Sequence, residues 1–409
     1  MKKKKIINDP VYGFISINSD LIFDVIQHPY FQRLRRVKQL GLTDFVYPGA
    51  LHTRFHHALG AMHLMSVTLN VLRNKGHEIS EKEFESALLA ILLHDIGHGP
   101  FSHALERSIL KGVHHEDMSL LIMKKLNIEF EGNLDTAIAI FTNKYNRKFF
   151  HQLVSSQLDM DRLDYLQRDC YFTGVIEGKV GFDRIVRMLD VHDDQIVVEE
   201  KGIYSIENFL NARRLMYWQV YLHKTTVSTE QMLIQIIKRA RYLTQQKVDV
   251  FSSKAFSFFL DIEIGFEDFK NHPEYLDYFA NLDDFDIWGS IKIWANHKDK
   301  VLSELSRMLL ERRLFKVELN NKKIDNVSII TLRDTLSKKM NITLEEAKFF
   351  CTKGKITNKG YVSHNQNILI KTKRGEIIDV AKASDLPNIE ALSKIVKKFY
   401  LCYPKVLSL

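Results

Sequence analysis

The sequence contains little cysteine and little proline, and it has no long apolar run. Its three cysteines, Cys170, Cys351 and Cys402, are widely spaced among 409 residues and form no CxxC pair. This spacing excludes a disulfide framework and a zinc cluster built from cysteines, and it fits a reducing compartment, so we expect a cytoplasmic protein. Seven prolines in a chain with long amphipathic runs favour a mainly helical fold. No apolar run approaches the roughly 20 residues that span a bilayer, so we expect no membrane partner.

The charge excess has two interpretations. The chain carries 58 lysines and arginines against 50 aspartates and glutamates, which gives a formal net charge of +8. An excess of this sign favours anionic partners such as nucleotides, nucleic acid or an acidic surface. A lysine-rich solvated surface explains it equally well. The basic start, MKKKKIIND, is followed by no apolar stretch, which argues against a signal peptide.

One stretch, Leu92–His103 (LLHDIGHGPFSH), concentrates groups that bind metals and move protons. An apolar helix predicted over Ala87–Leu93 leads into the adjacent His94 and Asp95, and glycines and a proline then end it. A lone His–Asp step is common as an ordinary surface or buried pair. Three histidines and an aspartate within ten residues are harder to explain as packing, because such groups beside a buried face are costly unless something pairs with them.

Two further segments complete a candidate metal site. Arg54 and His57 lie three residues apart on a helix predicted to begin near Thr53, so both face the same way. The string SSQLDMDRLDYLQRD places several aspartates among leucines in a predicted helix. One histidine and one aspartate from these segments, together with His94 and Asp95, would hold a single Mn, Fe, Mg, Ni or Zn ion and leave positions for water.

Such an ion lowers the pKa of water and polarises a phosphoryl oxygen. Other histidines are then available as proton donors and phosphate partners, and positive side chains would stabilise a polyphosphate. The candidates are His98, His103, His115, Arg54, Arg162, Arg213 and Lys224, with Tyr165 and Tyr221 able to stack on a base or bound a sugar. The residues alone therefore predict metal-assisted hydrolysis of a phosphate ester or anhydride.

The predicted architecture is mainly α. We expect a hairpin and basic helix over residues 1–48, a helical core over 49–245, and a helical then α+β region over 246–409 that serves assembly or regulation. Predicted helices include Phe31–Leu40, Phe149–Asp169 and Ile206–Thr226, and predicted strands include Leu314–Leu319, Asn367–Lys373 and Ile377–Val380. The predicted helix Phe31–Leu40 carries a cluster of four basic residues, Arg33, Arg35, Arg36 and Lys38. This basic cluster either binds phosphate or, as we favour, forms a solvated helix face.

Several longer strings resemble successive motifs of the HD-domain deoxynucleoside triphosphate (dNTP) triphosphohydrolases: YPGALHTRFHHALG, LLHDIGHGPFSHALE, HHED, DMDRLDYLQRD and NARRLMYWQVYLHK. The similarity is strongest to the branch that contains the vertebrate SAM-and-HD-domain enzyme and its bacterial relatives, and it covers roughly Ile6 to Thr244 well. The SAM domain is absent from this sequence. The resemblance implies an HD-domain helical bundle that attacks the α-phosphorus of a dNTP with metal-activated water. The products would be a deoxynucleoside and intact triphosphate.

The resemblance also implies a role for each matching residue. The implied metal ligands are His57, His94, Asp95 and Asp161. The implied phosphate-binding groups are Arg54, His98, His115, Arg162 and Arg213. His103 resembles the general acid that protonates the 5′-oxygen, with Glu106 steadying it. The groups implied for the sugar are Gln39, Tyr165 and Asp169 at the 3′-hydroxyl, and Leu40 and Tyr221 crowding the 2′ position.

Some positions depart from the vertebrate pattern. Arg162 stands where that enzyme has lysine, and Tyr217 stands where it has histidine. Gln27 stands where it has the acidic residue that reads guanine at its activator site, although Arg35 is retained. The family implies a homo-oligomer, either a dimer or a tetramer, and a dNTP or GTP is a candidate activator.

Two other functions stay open at this point. The chain could be another HD phosphohydrolase that acts on a nucleoside monophosphate or a cyclic nucleotide, but the long match through Asp169 and Tyr221 argues against this. It could instead be a nucleic-acid-binding protein with a vestigial HD site, which its basic charge would suit. Against that reading, no metal-ligand candidate is missing.

Overall fold

The structure is a computed structural model, and it describes residues 5–110, 112–358, 367–386 and 396–405. Helices dominate these residues, so the predicted mainly α fold is confirmed. None of the helices in the described ranges combines the length and the apolar character that crossing a bilayer requires. The lysines that follow Met1 fall in residues 1–4, outside the described part of the chain.

The N-terminal segment is a β-hairpin followed by short helices. Strands β1 (Lys5–Asp9) and β2 (Gly13–Ile17) pair antiparallel, with Lys5 opposite Ile17. The Ser19 side chain accepts a hydrogen bond from the Ile22 N–H and so caps α1 (Asp20–Gln27). Helix α2 (Pro29–Gln32) begins at a proline, where the missing N–H costs nothing, and continues as a 3₁₀ turn over Arg33–Arg36.

The helix predicted over Phe31–Leu40 is wrong beyond Arg36. Val37 is extended, Lys38 forms a bridge with Thr53, and a turn follows, because the backbone pairs with the segment before the next helix. The Gln39 N–H donates to the His52 carbonyl at 3.0 Å, and the Arg54 N–H donates to the Val37 carbonyl at 2.9 Å. Backbone groups that a helix would have used are satisfied by this pairing.

The core of the fold is a set of packed helices with one β-hairpin. Its elements are α3 (Arg54–Asn74), α4 (Glu81–Leu93), α5 (Ser102–Ser108), α6 (His115–Glu129), α7 (Asp135–Phe141), α8 (Lys148–Val154), α9 (Met160–Thr173), α10 (Phe182–Met188), β3 (Leu189–His192), β4 (Gln195–Glu199), α11 (Ile203–Met216) and α12 (Lys224–Gln245). Ser80 and Glu83 form a capping box that starts α4, and the apolar run Ala87–Leu93 is buried throughout.

Two predicted helices are interrupted. The helix predicted over Phe149–Asp169 breaks into α8 and α9, because the Asp159 carboxylate accepts hydrogen bonds from the N–H groups of Ser156 and Arg162 and caps a new helix. The helix predicted over Ile206–Thr226 ends at Met216 and continues as a π-turn over Tyr217–Tyr221. Such wide turns often occur at functional sites.

The C-terminal region contains helices and then short strands. Its elements are α13 (Lys254–Asp261), α14 (Phe266–Asn271), α15 (Tyr275–Ala280), α16 (Asp284–Trp294), α17 (Lys300–Leu310), β5 (Lys316–Asn320), α18 (Asn326–Met340), α19 (Leu344–Phe350), β6 (Thr352–Asn358), β7 (Leu369–Lys371), β8 (Ile377–Asp379), α20 (Val380–Ala383) and β9 (Val396–Tyr403). The predicted strands after residue 310 correspond to β5, β7 and β8. The sequence analysis did not predict α18, α19, β6 or β9.

Strands from this region form two sheets, and one of them includes the core hairpin. The first sheet has the order β3-β4-β7-β8, and β7 runs parallel to β4 with Val197 opposite Leu369. The second sheet has the order β5-β9-β6. The boundary predicted at residue 245 therefore separates strands that share a sheet, and it stays a prediction.

Candidate active site

The His94–Asp95 turn is fixed from two sides. Helix α4 ends at Leu93, and the Ser119 hydroxyl in α6 donates to the His94 carbonyl at 2.7 Å while it accepts from the Gly97 N–H at 2.9 Å. A Cβ at Gly97 would lie 2.2 Å from the Ser119 nitrogen, so only glycine permits this approach. The turn is therefore held rigidly at the end of a buried helix.

Arg33 fixes the same turn from the N-terminal segment. Its guanidinium is buried and donates to the carbonyls of Ile96 and His98, each at 2.7 Å. Burial, and then the nearby Arg54, lower the pKa of Arg33 to about 9. The solvated helix face predicted for the basic cluster is thus wrong for Arg33, which supports the turn from inside the protein.

The four residues expected to bind metal meet at one point. His57 Nε2 lies 3.1 Å from Asp161 Oδ1 and 3.7 Å from Asp95 Oδ2, and His94 Nε2 lies 3.4 Å from both Asp161 Oδ1 and Asp95 Oδ1. The ligand atoms of His57, His94 and Asp161 all lie within 4.8 Å of one another. We call these four residues the metal cluster. Helices α3 and α9 and the turn after α4 supply its members.

Each imidazole of the metal cluster is oriented by its other nitrogen. His94 Nδ1 bonds to the Ile91 carbonyl at 2.6 Å, and His57 Nδ1 bonds to Asp164 Oδ2 at 2.8 Å. Both Nε2 atoms are buried and have no hydrogen-bond partner of acceptable geometry among the described residues. A carbonyl or carboxylate on one ring nitrogen fixes the tautomer that presents a lone pair on the other. The residues therefore fit a divalent cation.

Three buried charges support His57 in turn. The Arg168 guanidinium lies 3.0 Å from both Asp164 oxygens and 2.7 Å from Asp9 Oδ2 in the N-terminal hairpin. A Cβ at Gly60 would lie 2.0 Å from Asp164 Oδ1 and 2.1 Å from Arg168 Nη2, so glycine in α3 makes room for the ion pair. We call the series Asp9–Arg168–Asp164 the charge chain.

The electrostatics of the metal cluster favour a cation. Burial opposes protonation of His57, yet the nearby carboxylates of Asp161 and Asp164 outweigh it and raise the pKa of His57 to about 10. Burial would raise the pKa of Asp161, but the neighbouring imidazoles of His57 and His94 hold it well below its usual range. A pocket that stabilises positive charge to this degree is suited to a divalent ion.

A second group of histidines lies beside the metal cluster. His98 Nε2 lies 3.3 Å from Asp95 Oδ1, and the His98 ring stacks on His115 with centroids 3.9 Å apart. His115 Nδ1 lies 3.6 Å from Glu106 Oε1. Glu106, which the resemblance places beside His103, thus also lies beside His115. The His103 side chain lies outside the described part of the structure. Burial and the charge of Arg54 lower the pKa of His98 to about 3.

Asp95, His98 and His115 are themselves a second set of potential metal ligands. The sequence analysis did not predict this set, because it assigned both histidines to phosphate. The two sets adjoin at Asp95, whose Oδ1 lies 3.4 Å from His94 Nε2 and 3.3 Å from His98 Nε2.

Three arginines near the metal cluster retain unused donors. Arg54 Nη1 donates to Asp95 Oδ2 at 2.6 Å, Arg213 Nη1 donates to Gln157 Oε1 at 3.0 Å, and Arg162 pairs with Asp159. The Nε of each arginine is buried without a hydrogen-bond partner among the described residues. Buried unpaired donors are costly, and an anionic ligand would satisfy them. Lys224 lies elsewhere, lining a separate cavity with Lys316 and Lys323.

A cavity of about 300 Å³ opens beside Arg54. Its lining includes Gln39, Leu40, Tyr217 and Tyr221. The turn that follows Lys38, in place of the predicted helix, carries Gln39 and Leu40 into this wall, and the π-turn carries both tyrosines. We call this space the substrate cavity.

The Asp169 carboxylate behind Tyr221 is fully engaged. Its Oδ2 accepts from the Tyr221 hydroxyl at 2.7 Å, and its Oδ1 bonds to His52 Nε2 at 2.7 Å. The Tyr165 ring meets Tyr221 edge-on at 6.1 Å. Asp169 is only 1% exposed, so it orients Tyr221. The sequence analysis overlooked His52.

Two family models match the chain. The HD domain matches residues 54–169, and the HD-associated region matches residues 180–255. A crystal structure of a phosphohydrolase from Bacteroides thetaiotaomicron superimposes with a TM-score of 0.95 at 53% identity, covering 98% of this chain and 100% of that one. The chain belongs to the HD-domain phosphohydrolases.

Curated relatives extend this finding. The uncharacterized protein YwfO of Bacillus subtilis is 35% identical over 333 residues, which are 78% of this HD phosphohydrolase and 73% of YwfO. A Dictyostelium discoideum protein, the deoxynucleoside triphosphate triphosphohydrolase SAMHD1 homolog, is 34% identical over 259 residues. That match covers 58% of this chain and 50% of the relative.

The HD-domain match encloses the metal cluster, since it begins at Arg54 and ends at Asp169. The family assignment therefore rests on the part of the fold that holds the candidate ligands. The sequence analysis missed the contributions of Asp9 and Arg168. The available signal was the presence of arginine and aspartate at helical spacing, Asp164 and Arg168, on a face that also carries leucines.

Proposed function

We propose that this HD phosphohydrolase converts dNTPs to deoxynucleosides and inorganic triphosphate. One observation carries the proposal: Arg54 bonds to Asp95 of the metal cluster and also lines the substrate cavity. A single side chain thus joins a site for phosphate chemistry to a space that suits a nucleoside. The similarity to a relative named as a dNTP triphosphohydrolase supports the same reaction.

His57, His94, Asp95 and Asp161 would hold one divalent ion, with Mn, Fe, Mg, Ni and Zn as candidates. When bound, such an ion supplies hydroxide near neutral pH and polarises the phosphoryl group. Arg54, Arg162 and Arg213, with His98 and His115, would bind the triphosphate through charge-assisted hydrogen bonds.

The reaction needs one proton at the leaving oxygen. As a water oxygen bonds to the α-phosphorus, the bond from phosphorus to the 5′-oxygen breaks, and His103 donates a proton to that oxygen. Glu106, which faces His115, would assist through the neighbouring histidines. The triphosphate leaves with the added water oxygen, and the deoxynucleoside leaves with its 5′-hydroxyl restored.

Shape would select deoxyribose. Leu40 and Tyr221 line the cavity and would crowd a 2′-hydroxyl, and Gln39, which also lines it, would bind the 3′-hydroxyl. Tyr165 and Asp169 would act on the sugar through Tyr221, because Asp169 bonds to its hydroxyl and the Tyr165 ring contacts its ring. The Gln39 Oε1 atom is buried and has no hydrogen-bond partner among the described residues, so a sugar hydroxyl can donate to it. Tyr221 is locked by Asp169, which makes the wall rigid.

Assembly and activation are part of the same proposal. The protein would form a dimer or tetramer in the cytoplasm, with a dNTP or GTP as a candidate activator and nucleic acid as a secondary partner. Arg35, retained from the activator pattern, stacks on Phe55 at 3.6 Å and donates to Gln32.

Product analysis tests the reaction directly. Pure protein is incubated with each dNTP alone and with all four together, with Mn²⁺ or Mg²⁺, and the products are resolved by ion-exchange chromatography. Deoxynucleoside plus triphosphate is the expected result, and activity only in mixtures would reveal an activator site. Monophosphate plus pyrophosphate would overturn the proposed bond cleavage. No product would favour a monophosphate, a cyclic nucleotide or a binding role.

His103→Ala tests the assignment of the acid. Loss of a general acid lowers kcat by about 10²- to 10⁴-fold, while substrate binding changes little. The measurement is kcat and KM for a dNTP, with metal content as the control. A change in KM alone would contradict the role of His103 as the proton donor.

A further inference from the structure

The substrate cavity has a wall that neither family match includes. Ile356 of β6 and Tyr400 of β9 line it together with Arg54 and Tyr221. These two residues lie beyond residue 255, where the match to the HD-associated region ends. The sheet β5-β9-β6, which the sequence analysis assigned to assembly or regulation, thus reaches the cavity beside the metal cluster.

The position of this wall is fixed within the sheet. Gly354 lies opposite Tyr400 in the antiparallel pair β6–β9. A Cβ at Gly354 would lie 2.3 Å from the Tyr400 hydroxyl oxygen, so the tyrosine side chain covers the glycine closely. An aromatic side chain over a cross-strand glycine is a known way to stabilise a sheet. Tyr400 is 5% exposed and is held in place by this contact.

The sheet is also tied to the π-turn on the other side of the cavity. Lys398 Nζ lies 4.5 Å from the centre of the Trp218 ring, and Trp218 belongs to the turn that carries Tyr217 and Tyr221. A cation over an indole face is attractive. The C-terminal sheet and the tyrosines of the cavity therefore keep a defined separation.

The chemistry of this wall differs from that of the metal cluster. Arg54 marks the end of the cavity that belongs to the phosphates, because it bonds to Asp95. Ile356 and Tyr400 come from strands that supply none of the four expected metal ligands, and Gln231 of α12 lines the same cavity. An aliphatic group, an aromatic group and an amide suit the flat apolar faces and polar edge of a nucleobase.

We infer that the C-terminal sheet selects the nucleobase, with Ile356 and Tyr400 limiting the size of base that the cavity admits. This inference rests on the proposed dNTP reaction. Purines extend further from the sugar than pyrimidines, so they meet this wall first. Ile356 and Tyr400 act on specificity and take no part in bond cleavage.

The test compares the four dNTPs in three variants. Ile356→Trp fills the base end of the cavity, Ile356→Ala enlarges it, and Lys355→Ala changes the exposed neighbour on the same strand. Ile356→Trp should lower the ratio of kcat/KM for purines to that for pyrimidines by about tenfold, the range expected when a pocket gains or loses a few heavy atoms. The change should fall mainly on KM, since this contact exists in both the ground state and the transition state.

Ile356→Ala should raise the same ratio a few-fold, and Lys355→Ala should leave it at the wild-type value. Thermal midpoints show whether each variant is folded. If Ile356→Trp does not fold, Ile356→Ala alone decides, because removing atoms from a half-buried position leaves the strand intact. An unchanged ratio in a folded Ile356 variant would overturn the inference.

A wild-type protein that hydrolyses no dNTP would overturn the proposed function, and calorimetric titration then decides the inference separately. dGTP and dTTP are titrated into wild type and into Ile356→Ala, each with Ca²⁺ present. A change in dGTP affinity relative to dTTP in the variant supports the base-selecting wall. Equal affinities in both proteins, or no binding at all, refute it.

Discussion

On one side of the metal cluster, His57 is held by the charge chain of Asp164, Arg168 and Asp9, all of them buried. On the other side, His98 and His115 meet Asp95 and Glu106 through contacts of 3.3 and 3.6 Å, and the His115 side chain is 30% exposed. The first side fixes a ligand atom through short, mutually compensating ionic contacts. The second side stacks two imidazoles, of which His98 is buried and His115 is partly exposed.

The difference fits the roles that are proposed above for the two sides. A metal ligand needs one geometry, and buried partners that orient the imidazole supply it. Groups that meet a polyphosphate need spare donors and room to adjust, since the substrate itself completes their hydrogen bonds. The charges on the His57 side are thus fully paired within the protein, whereas the groups on the His98 and His115 side are only partly paired.

Asp161→Ala is the most severe way to break this arrangement. It removes a carboxylate that touches both cluster histidines, so we expect turnover to fall by about a thousandfold or more while the fold is retained. Metal content and kcat/KM are measured together, and circular dichroism reports the fold. Asp183→Ala, at an exposed aspartate, is the matched control. Activity in Asp161→Ala with metal present would remove Asp161 from the ligand set.

Arg168→Met tests whether the charge chain is essential for folding. It leaves Asp9 and Asp164 buried without their cation, and breaking a buried ion pair in this way costs about 3–5 kcal/mol in the free energy of unfolding. The exposed pair Arg187–Asp183 offers the control, since Arg187→Met should cost less than about 1 kcal/mol. Urea unfolding measures both. Similar losses of unfolding free energy in Arg168→Met and Arg187→Met would show that burial of the charge chain does not increase its contribution to stability.

Asp164→Asn and His115→Gln compare the two sides directly. Asp164→Asn should weaken metal binding about 10- to 100-fold, because it removes the carboxylate that orients His57. His115→Gln should leave metal binding unchanged and lower kcat/KM by about 10- to 100-fold, the value of one charge-assisted hydrogen bond to phosphate. Competition with a chelator measures the first quantity. Loss of metal from His115→Gln would instead place His115 among the metal ligands.

The smallest expected effect concerns a surface carboxylate. Burial opposes ionisation of Glu83, but hydrogen bonds from Ser80, Arg147 and Tyr145 outweigh it and lower its pKa to about 2. Because the folded-state pKa is depressed, this stability is present above the unfolded-state value of 4.5 and is lost as the pH falls toward 2. Glu83→Gln should remove about 1 kcal/mol or less of this acid-dependent stability. Urea titrations at pH 6 and pH 3 measure it, and equal pH dependence in both proteins would contradict it.

Much of the helical core was predictable because its signals are local. The buried run Ala87–Leu93 and the capping box at Ser80 lie within one helix. The four candidate metal ligands came from short strings that resemble motifs of a known family, and the structure brings these residues close together. Helix ends were harder, because an aspartate such as Asp159 can cap a new helix inside an apolar pattern.

The remaining features depend on contacts between distant parts of the chain. Nothing in the sequence around Asp9 indicates that it pairs with Arg168. The sequence also does not predict that either side chain is buried. The path of the chain at Gln39 depends on the hydrogen bond between its N–H and the His52 carbonyl. The cavity wall at Ile356 depends on a three-stranded sheet in which β9 lies between the earlier strands β5 and β6.

The parallel pairing of β7 with β4 has a consequence for how the protein is made. The ribosome synthesises the residues of the metal cluster and of the HD-associated region well before it reaches Leu369. Until then, one edge of β4 has no partner strand. An unpaired edge strand is a template for joining other chains. A chain cut after residue 255 would therefore carry all four candidate metal ligands and still expose this edge of β4, which the three-residue strand β7 covers in the folded structure.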